Sequence, residues 1–538
     1  MQKRIEQKNH FTRLRYLIGI FLTISLWGTQ LNANERPNIL FVFSDDHAVS
    51  AISAYDGPLA GVTKTPNIDR LAKQGALYQN SFCANSICGP SRATILTGKH
   101  SHKNGFMRNT RKKFDQSQWT VSKALQKSGY QTAVIGKWHL NSNPVGFDHW
   151  DVLPGQGNYY NPEFIGMDGG RSKVEGYVTD ITTAKAIDWL KQRDDSKPFF
   201  LMCQHKAPHR TFSPAIRKLG QLDDVEIPEP ASLFDDYATR SKTLQTNEME
   251  IDRHLTWAYD LKLREEERDG LALPEFRDYG APEYRRMTDE QKKQWDAHFA
   301  PRNKQFVDDC KAGKLDDRQI VQWKYRRYVQ NYLETVMAVD DSVGQLLDFL
   351  DETGLAENTV VIYSSDQGFY LGEHGWFDKR WMFEESFKMP FVIRWPGKVK
   401  PDSKPTSLIQ NIDYAPTFLE VAGVEIPEEI QGVSIAPTFK DPTHSLRDSI
   451  YYAYYEVGEH AVPQHFGVRT QHQKLFYLPA TNEWQMFDLA KDPMEMVNIY
   501  GQPAVASVQK ALKAEFIELR RRYEAPNFAE NAEKAENE

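Results

Sequence analysis

Asn38-Ile-Leu-Phe-Val-Phe-Ser-Asp-Asp-His47 is an unbroken apolar run that stops at two adjacent carboxylates. A strand that alternates between core and water would alternate in polarity. This one does not, so it reads as a strand buried on both faces. The pattern recurs in Thr132-Ala-Val-Ile135, Phe199-Phe-Leu-Met-Cys-Gln204, Thr359-Val-Val-Ile-Tyr363 and Phe391-Val-Ile-Arg-Trp395. Helical stretches lie between these runs. One spans Pro66 to Lys73, with proline in its first turn and Gly75 past its end, and another Tyr325 to Glu352. Strands alternating with helices predict an α/β fold built on a large, mainly parallel sheet flanked by helices. In such sheets chemistry collects at the carboxyl ends of the strands.

Outward from this frame the rhythm changes three times. Residues 1–33 combine a basic stretch (Lys3, Arg4, Lys8, Arg13, Arg15), the apolar run Tyr16 to Trp27 and small Ala33. They read as a signal peptide, too short in its apolar part to span a membrane. The expected destination is the periplasm or the medium, with no membrane span left after cleavage. Residues 34–444 are then expected to form one large domain around this sheet. Within it, about 211–320 is charged, aromatic and free of buried-strand runs, and is expected to be a helical insertion on the sheet. From 445 to 528, short aromatic runs such as Ile450-Tyr-Tyr-Ala-Tyr-Tyr455 and Lys474-Leu-Phe-Tyr-Leu478 predict a small antiparallel sheet, followed by a helix from Val505 to Tyr523. Residues 529–538 are polar and acidic and are expected to be disordered.

The 538 residues carry a formal charge of −7, which leaves no basic footprint for nucleic acid. With 40% apolar and 26% charged residues, the composition excludes collagen-like, disordered and multi-pass membrane classes. Four cysteines (Cys83, Cys88, Cys203, Cys310) are too few for a disulfide scaffold, and their pairing cannot be read from spacing.

Asp45 and Asp46 end the first buried strand, and Asp366 beside Gln367 ends another. Three carboxylates and an amide oxygen make a hard ligand set that suits Ca²⁺, or Mg²⁺, better than Zn²⁺. Cys88-Gly-Pro-Ser-Arg92-Ala-Thr-Ile-Leu-Thr97-Gly98 places a thiol at a loop-to-helix junction beside a guanidinium. Both features favour an anionic nucleophile or substrate, although a buried structural cysteine fits the same residues.

The same run matches Cys-x-Pro-Ser-Arg-x4-Thr-Gly, and the chain thereby resembles the type I sulfatases. Gly136-Lys137-Trp138-His139, Ala207-Pro208-His209 and Asp366-Gln367-Gly368 recur in that family's order, so the resemblance covers about residues 36 to 520. It implies an alkaline-phosphatase-like fold and a maturation enzyme that oxidises Cys88 to formylglycine (3-oxoalanine). A hydroxyl of the hydrated aldehyde would attack sulfur. The metal held by Asp45, Asp46, Cys88, Asp366 and Gln367 would polarise the sulfate. Arg92 would steady the nucleophile, Lys137 and Lys379 would clamp the sulfate, His209 would protonate the leaving oxygen and His139 would deprotonate the diol. Gln367 departs from the Asn or His of many members, but it keeps an amide oxygen. His47 is expected behind the metal rather than on it. His374 is read equally well as site support or as packing.

The substrate is expected to be a sulfated carbohydrate. Asp378 and Arg380 flank Lys379 and can accept from and donate to one sugar hydroxyl, and His465 begins a strand that could face the site. Gly155 to Phe164, Glu175 to Asp180, Phe234 to Arg240 and Gly368 to Arg380 resemble bacterial N-acetylglucosamine-6-sulfatases. That implies exo-acting removal of a 6-O-sulfate. The alternatives are a sulfatase for heparan N-sulfate, uronate 2-sulfate or algal galactan, a phosphonate or phosphate monoester hydrolase, and an inactive glycan-binding relative that keeps its thiol.

Overall fold

The computed structural model describes residues 36–528, so the expected signal peptide and the acidic tail lie outside the described residues. Fifteen strands are found among the described residues. Nine build one sheet: β1 (Asn38–Asp45), β2 (Ala76–Leu77), β4 (Gln131–Lys137), β5 (His149–Leu153), β6 (Glu163–Gly166), β7 (Arg171–Lys173), β8 (Phe199–Pro208), β9 (Thr359–Ser365) and β10 (Phe391–Arg394). Its order is β2-β10-β9-β1-β8-β4-β5-β6-β7, and the central run from β9 to β5 is parallel. The predicted strand Phe391 to Trp395 belongs to the sheet but runs antiparallel to β9. A two-stranded pair, β3 (Ser81–Phe82) with β11 (Ile409–Gln410), lies apart from it.

Both faces of the sheet are covered. Ile39, Phe41 and Phe43 of β1 point into a core that includes Ala93 and Ile95 of the helix Cys88–Thr97 and Phe418 of the helix Tyr414–Val421. Leu40 and Val42 point the other way, toward Ile68 of Pro66–Gln74, Ala186 of Val178–Gln192 and Leu346 of Asp317–Glu352. The last helix starts in a capping box in which Asp316 accepts from Gln319 N and the Gln319 side chain accepts from Asp316 N.

The insertion differs from expectation. Residues 211–281 carry only single helical turns, such as Lys242–Thr246 and Ile251–His254, before the helix Asp289–Lys311. Pro228, Pro230 and Pro274 interrupt the backbone, and no apolar stripe at helical spacing exists to bury. The coil is held instead by Trp257, Leu261 and Leu263, which pack with Tyr325 and Tyr328 of the long helix.

The four-stranded antiparallel sheet is β12 (Ser449–Tyr454), β13 (His465–Thr470), β14 (Gln473–Leu478) and β15 (Glu483–Asp488). The helix Ala506–Arg522 lays Leu512, Phe516 and Leu519 on Tyr451, Val468 and Leu475. All four cysteines are free thiols. Among the described residues no helix is long and apolar enough to cross a membrane.

Candidate active site

Sheet register assembles the site. Ser44 stands opposite Ser365, so Asp45 and Asp366 leave neighbouring strands together. On the other side the β1–β8 register shifts between Phe43 and Asp45, which brings Asp45 opposite Pro208 and hence next to His209. Gly136 opposes Gln204 on β8, so Lys137 follows at the same edge. Four parallel strands thus each deliver one functional residue.

The acids are fully buried, and ligand oxygens of Asp45, Asp46 and Asp366 lie within 4.8 Å of one another. Asp366 Oδ1 accepts from Asp46 N at 3.0 Å, and its Oδ2 accepts from Arg92 Nε and Nη2 at 3.2 and 3.0 Å. Arg92 Nη1 donates to the Lys137 carbonyl at 2.6 Å and to Gln204 Oε1 at 2.9 Å. Lys137 Nζ binds Asp45 Oδ2, Lys379 Nζ binds Asp46 Oδ2 at 2.7 Å, and Gln367 Nε2 donates to Asp46 Oδ1. Asp45 Oδ1 and Gln367 Oε1 stay buried without a hydrogen-bond partner in the protein.

Burial would raise the Asp45 carboxyl, but Lys137, His209 and Arg92 hold it well below the ordinary range. Burial, opposed mainly by Lys379, pushes Asp46 up to about 6, and burial together with Asp45 drives Asp366 well above its usual value. Like charges confined out of water resist ionising together. Two orphaned oxygens and crowded carboxylates fit a hard divalent cation held by Asp45, Asp46, Asp366 and Gln367. Lys137, Lys379 and Arg92 already balance the three carboxylates, so a cation leaves the site positive and ready for an anion.

Cys88 opens a helix with every residue buried, and is itself 1% exposed. Its sulfur lies within 4.8 Å of ligand atoms of both Asp45 and His209. Burial pushes the unmodified Cys88 thiol up, toward its neutral form. Gly89 N donates to Asn109 Oδ1 at 3.1 Å, and a Cβ on Gly89 would meet the His139 carbonyl at 3.2 Å. His139 therefore borders position 88, with its Nδ1 buried and unpaired. His209 Nδ1 donates to the Arg210 carbonyl at 2.7 Å, which turns Nε2 toward Asp46 Oδ2 at 3.6 Å. Burial and then Lys137 keep this imidazole neutral.

Lys379 arrives on a loop whose neighbours Asp378 and Arg380 both have positive φ, 74° and 92°. Asp46 (66°) and His139 (55°) share this left-handed conformation, which a packed site can hold at some backbone cost. Asp378 Oδ1 accepts from Lys379 N at 2.8 Å and lies 3.2 Å from Arg380 Nε. Arg380 Nη1 donates to Tyr454 OH at 3.1 Å and Glu456 Oε2 at 2.8 Å, both from the C-terminal sheet region.

Residues 37–424 match the family model described as Sulfatase, and residues 372–522 match the one described as N-sulphoglucosamine sulphohydrolase, C-terminal. The chain belongs to the sulfatase family. An N-acetylglucosamine-6-O-sulfatase of Bacteroides thetaiotaomicron is 44% identical over 96% of this chain and 92% of its own length. The human N-acetylglucosamine-6-sulfatase is 25% identical, covering 76% of this chain and 65% of its own. A solved structure described as a complex with its substrate D-glucosamine-2-N,6-O-disulfate superposes with a TM-score of 0.86 at 44% identity, covering 91% of this chain and 99% of that one. This sulfatase is a hydrolase acting on sulfate esters.

Three further histidines named from the sequence are fully enclosed by other side chains. His465 has no exposed surface, and its Nδ1 meets the Pro463 carbonyl at 2.9 Å. Its ring packs against Trp381, Tyr452 and Tyr454, beside the Arg380 loop. His374 is held by polar partners, with Nδ1 beside Arg240 Nη1 at 2.9 Å and Asp235 Oδ2 at 3.1 Å. His47 lies behind the metal site, its Nδ1 paired with Tyr363 OH. Sequence reasoning missed Glu456 and Asn109, because no motif marks them. It also missed Lys206, a buried cation 4.7 Å from the Tyr159 ring and pushed down to about 8 by burial and Lys137, whose only signal was its place three residues before His209.

Proposed function

We propose that this sulfatase removes the 6-O-sulfate from glucosamine at the end of a sulfated glycan, the nitrogen being acetylated or sulfated. The reading rests on the 44% identity to an N-acetylglucosamine-6-O-sulfatase over nearly the whole chain. Site geometry agrees with it. Asp378, Lys379 and Arg380 are consecutive, so one backbone segment carries a hydroxyl acceptor, a sulfate clamp and a hydroxyl donor. Arg380 Nη1 is committed to Tyr454 and Glu456, which leaves the Nη2 end of the fork for a sugar hydroxyl.

Conversion of Cys88 to formylglycine by a maturation enzyme would supply a hydroxyl nucleophile in place of the inert thiol. A Ca²⁺ or Mg²⁺ ion held by Asp45, Asp46, Asp366 and Gln367 would supply Lewis-acid polarisation of the bound sulfate. The remaining work falls to the chain. Lys137 and Lys379 neutralise the sulfate oxygens, and Arg92 fixes the position of Asp366 relative to the nucleophile helix. His209 keeps its Nδ1 proton on the Arg210 carbonyl, so Nε2 is the free acceptor of the neutral ring and must first take up a proton, which the charge of a bound sulfate favours, before handing it to the leaving sugar oxygen. His139 borders position 88 and serves as base there. Residues 1–33 would direct the protein to the periplasm or the medium, where sulfated glycans are met.

The test uses protein whose position-88 peptide has the mass of formylglycine. It is incubated with Ca²⁺ and N-acetylglucosamine-6-sulfate, beside the 3-sulfate, N-sulfoglucosamine, a 2-sulfated uronate disaccharide and 6-sulfated galactose. Release of sulfate from 6-sulfated glucosamine alone is expected. Turnover confined to any other member overturns the substrate assignment and leaves the sulfatase chemistry intact.

A further inference from the structure

We infer that the tip of the 274–280 loop, carrying Phe276, Arg277 and Tyr279, is a subsite for the next saccharide of the glycan, and that this unit is acidic. The inference rests on the 6-O-sulfatase reading for the position of the first sugar.

That sugar must lie between His209 and the Asp378–Arg380 loop. Arg210 follows His209 directly and bridges the two sides. Its guanidinium is fixed by Asp260, with Nε and Nη2 at 2.6 and 2.5 Å from the two carboxylate oxygens. It lies 5.0 Å from the Phe377 ring, the residue before Asp378, and 5.7 Å from the Tyr279 ring. The loop tip is therefore continuous with the site through one ordered cation.

The tip is presented to solvent, and its base is pinned. Glu275 accepts from Trp257 N at 3.2 Å and from Arg268 Nη2 at 3.0 Å, and the Pro274 carbonyl accepts from Trp257 Nε1 at 2.8 Å. Tyr279 is 43% exposed and Phe276 40%, more than any other Phe, Tyr or Trp ring among the described residues. Rings left in water beside an active site, on an anchored loop, offer the flat apolar faces that pyranose rings stack on. An anionic group on the first sugar would need a guanidinium but no such platform; a platform calls for a second ring.

Acidity of that second ring follows from charge. Arg277 is 58% exposed, lies over Phe276 at 4.9 Å, and has its nearest carboxylate, Glu248, at 3.9 Å. Glu248 in turn is tied to the site, since its carbonyl accepts from His460 Nδ1 at 2.9 Å and His460 Nε2 lies 3.5 Å from Asp378 Oδ2. The other charge at the tip, Asp278, is turned onto Gly280 N at 2.6 Å. A solvent-facing guanidinium beside two aromatic faces fits a pyranose carboxylate.

The experiment compares kcat/KM on 6-sulfated N-acetylglucosamine, on a disaccharide with a hexuronate on its reducing side, and on that disaccharide with the carboxylate reduced to an alcohol. Arg277→Ala and Tyr279→Ala are each expected to lower kcat/KM on the acidic disaccharide about five- to tenfold, through KM, with the monosaccharide within about twofold of wild type. Tyr279→Phe should keep the stacking and lose only what Arg277 draws from its hydrogen bond to the Tyr279 side chain, so its kcat/KM on the acidic disaccharide should fall closer to wild type than that of Tyr279→Ala. Carboxyl reduction should remove the effect of Arg277→Ala and keep that of Tyr279→Ala. Equal losses on monosaccharide and disaccharide, or no loss on either, overturn the subsite; an Arg277→Ala loss that survives carboxyl reduction overturns its acidity. Wild-type protein that turns over neither sugar overturns the 6-O-sulfatase reading instead. In that case the disaccharide is titrated calorimetrically into Cys88→Ser protein, where a Kd unchanged by Tyr279→Ala overturns the subsite and one weakened about fivefold or more supports it.

Discussion

Arg92 shows how much one side chain can organise. Its planar fork meets Asp366, the Lys137 carbonyl and Gln204 at once, and its guanidinium carbon lies 4.9 Å from the Phe43 ring. A lysine keeps the charge but cannot make that set of bonds. Arg92→Lys is therefore expected to lower kcat about a hundredfold and to raise the cation concentration needed for half-maximal activity, measured by titrating Ca²⁺ into the chelated enzyme. His209 invites a subtler measurement. If Nε2 protonates the leaving oxygen, its loss matters most when that oxygen is basic. His209→Gln should cost about 10²- to 10⁴-fold in kcat/KM on a sugar sulfate, and much less on an activated aryl sulfate whose phenolate leaves unaided. Equal losses on both would reassign His209 to sulfate binding.

Among the elements, β4 owes its aim to a glycine. Gly136 has φ 107°, and a Cβ there would lie 1.9 Å from the Gln204 carbonyl. Gly136→Ala is expected to destabilise the protein by about 2 kcal/mol or more, read from the denaturation midpoint, because both strain and clash oppose it. The long helix Asp317–Glu352 carries a pH-sensitive group. Glu334 is 2% exposed, and burial pushes its carboxyl up to about 7 against backbone donors from Leu222, Gly220 and Gln221. The folded protein then binds a proton that the unfolded chain releases near its ordinary value of 4.5. Stability falls as pH rises from about 4.5 to about 7, by up to about 1.4 kcal/mol per pH unit. Glu334→Gln should flatten that slope in melting curves taken across this window. What the sequence announced at this scale follows from range. Buried strands advertise themselves in four or five consecutive apolar residues, and so did the acids that end them. The 211–281 coil has no local period to read, and the supports of Arg380 at Tyr454 and Glu456 lie more than seventy residues away, where nothing in the chain marks the meeting. The surroundings of His465 were hidden for the same reason: its polarity was visible, its aromatic neighbours were not.

The two sheets form one functional body. Besides Arg380 with Tyr454 and Glu456, Glu384 is held by Arg469 and Lys474 of the small sheet, each at 3.0 Å. A chain truncated at residue 444 is expected to be insoluble or inactive, since it would strand Arg380 and Glu384 without partners and bare the aromatic layer around Trp381; sedimentation and an aryl sulfate assay would show it. Cation binding should be visible in the whole molecule as well. At a hundred times its Kd a cation that binds only the folded state adds about 2.7 kcal/mol, so Ca²⁺ should raise the melting temperature of chelated protein, and Asp366→Asn should erase that rise. The Asp378-Lys379-Arg380 loop has one further consequence. Because the group proposed to grip sulfate and the groups proposed to read the sugar share consecutive peptide units, they would behave as a ruler of fixed length. A descendant of this chain cannot slide its selectivity from one ring position to another by exchanging single side chains. It would have to replace the loop as a cassette, so lineages that acquired other regiochemistries should differ here in loop length and backbone shape before they differ anywhere in the catalytic residues.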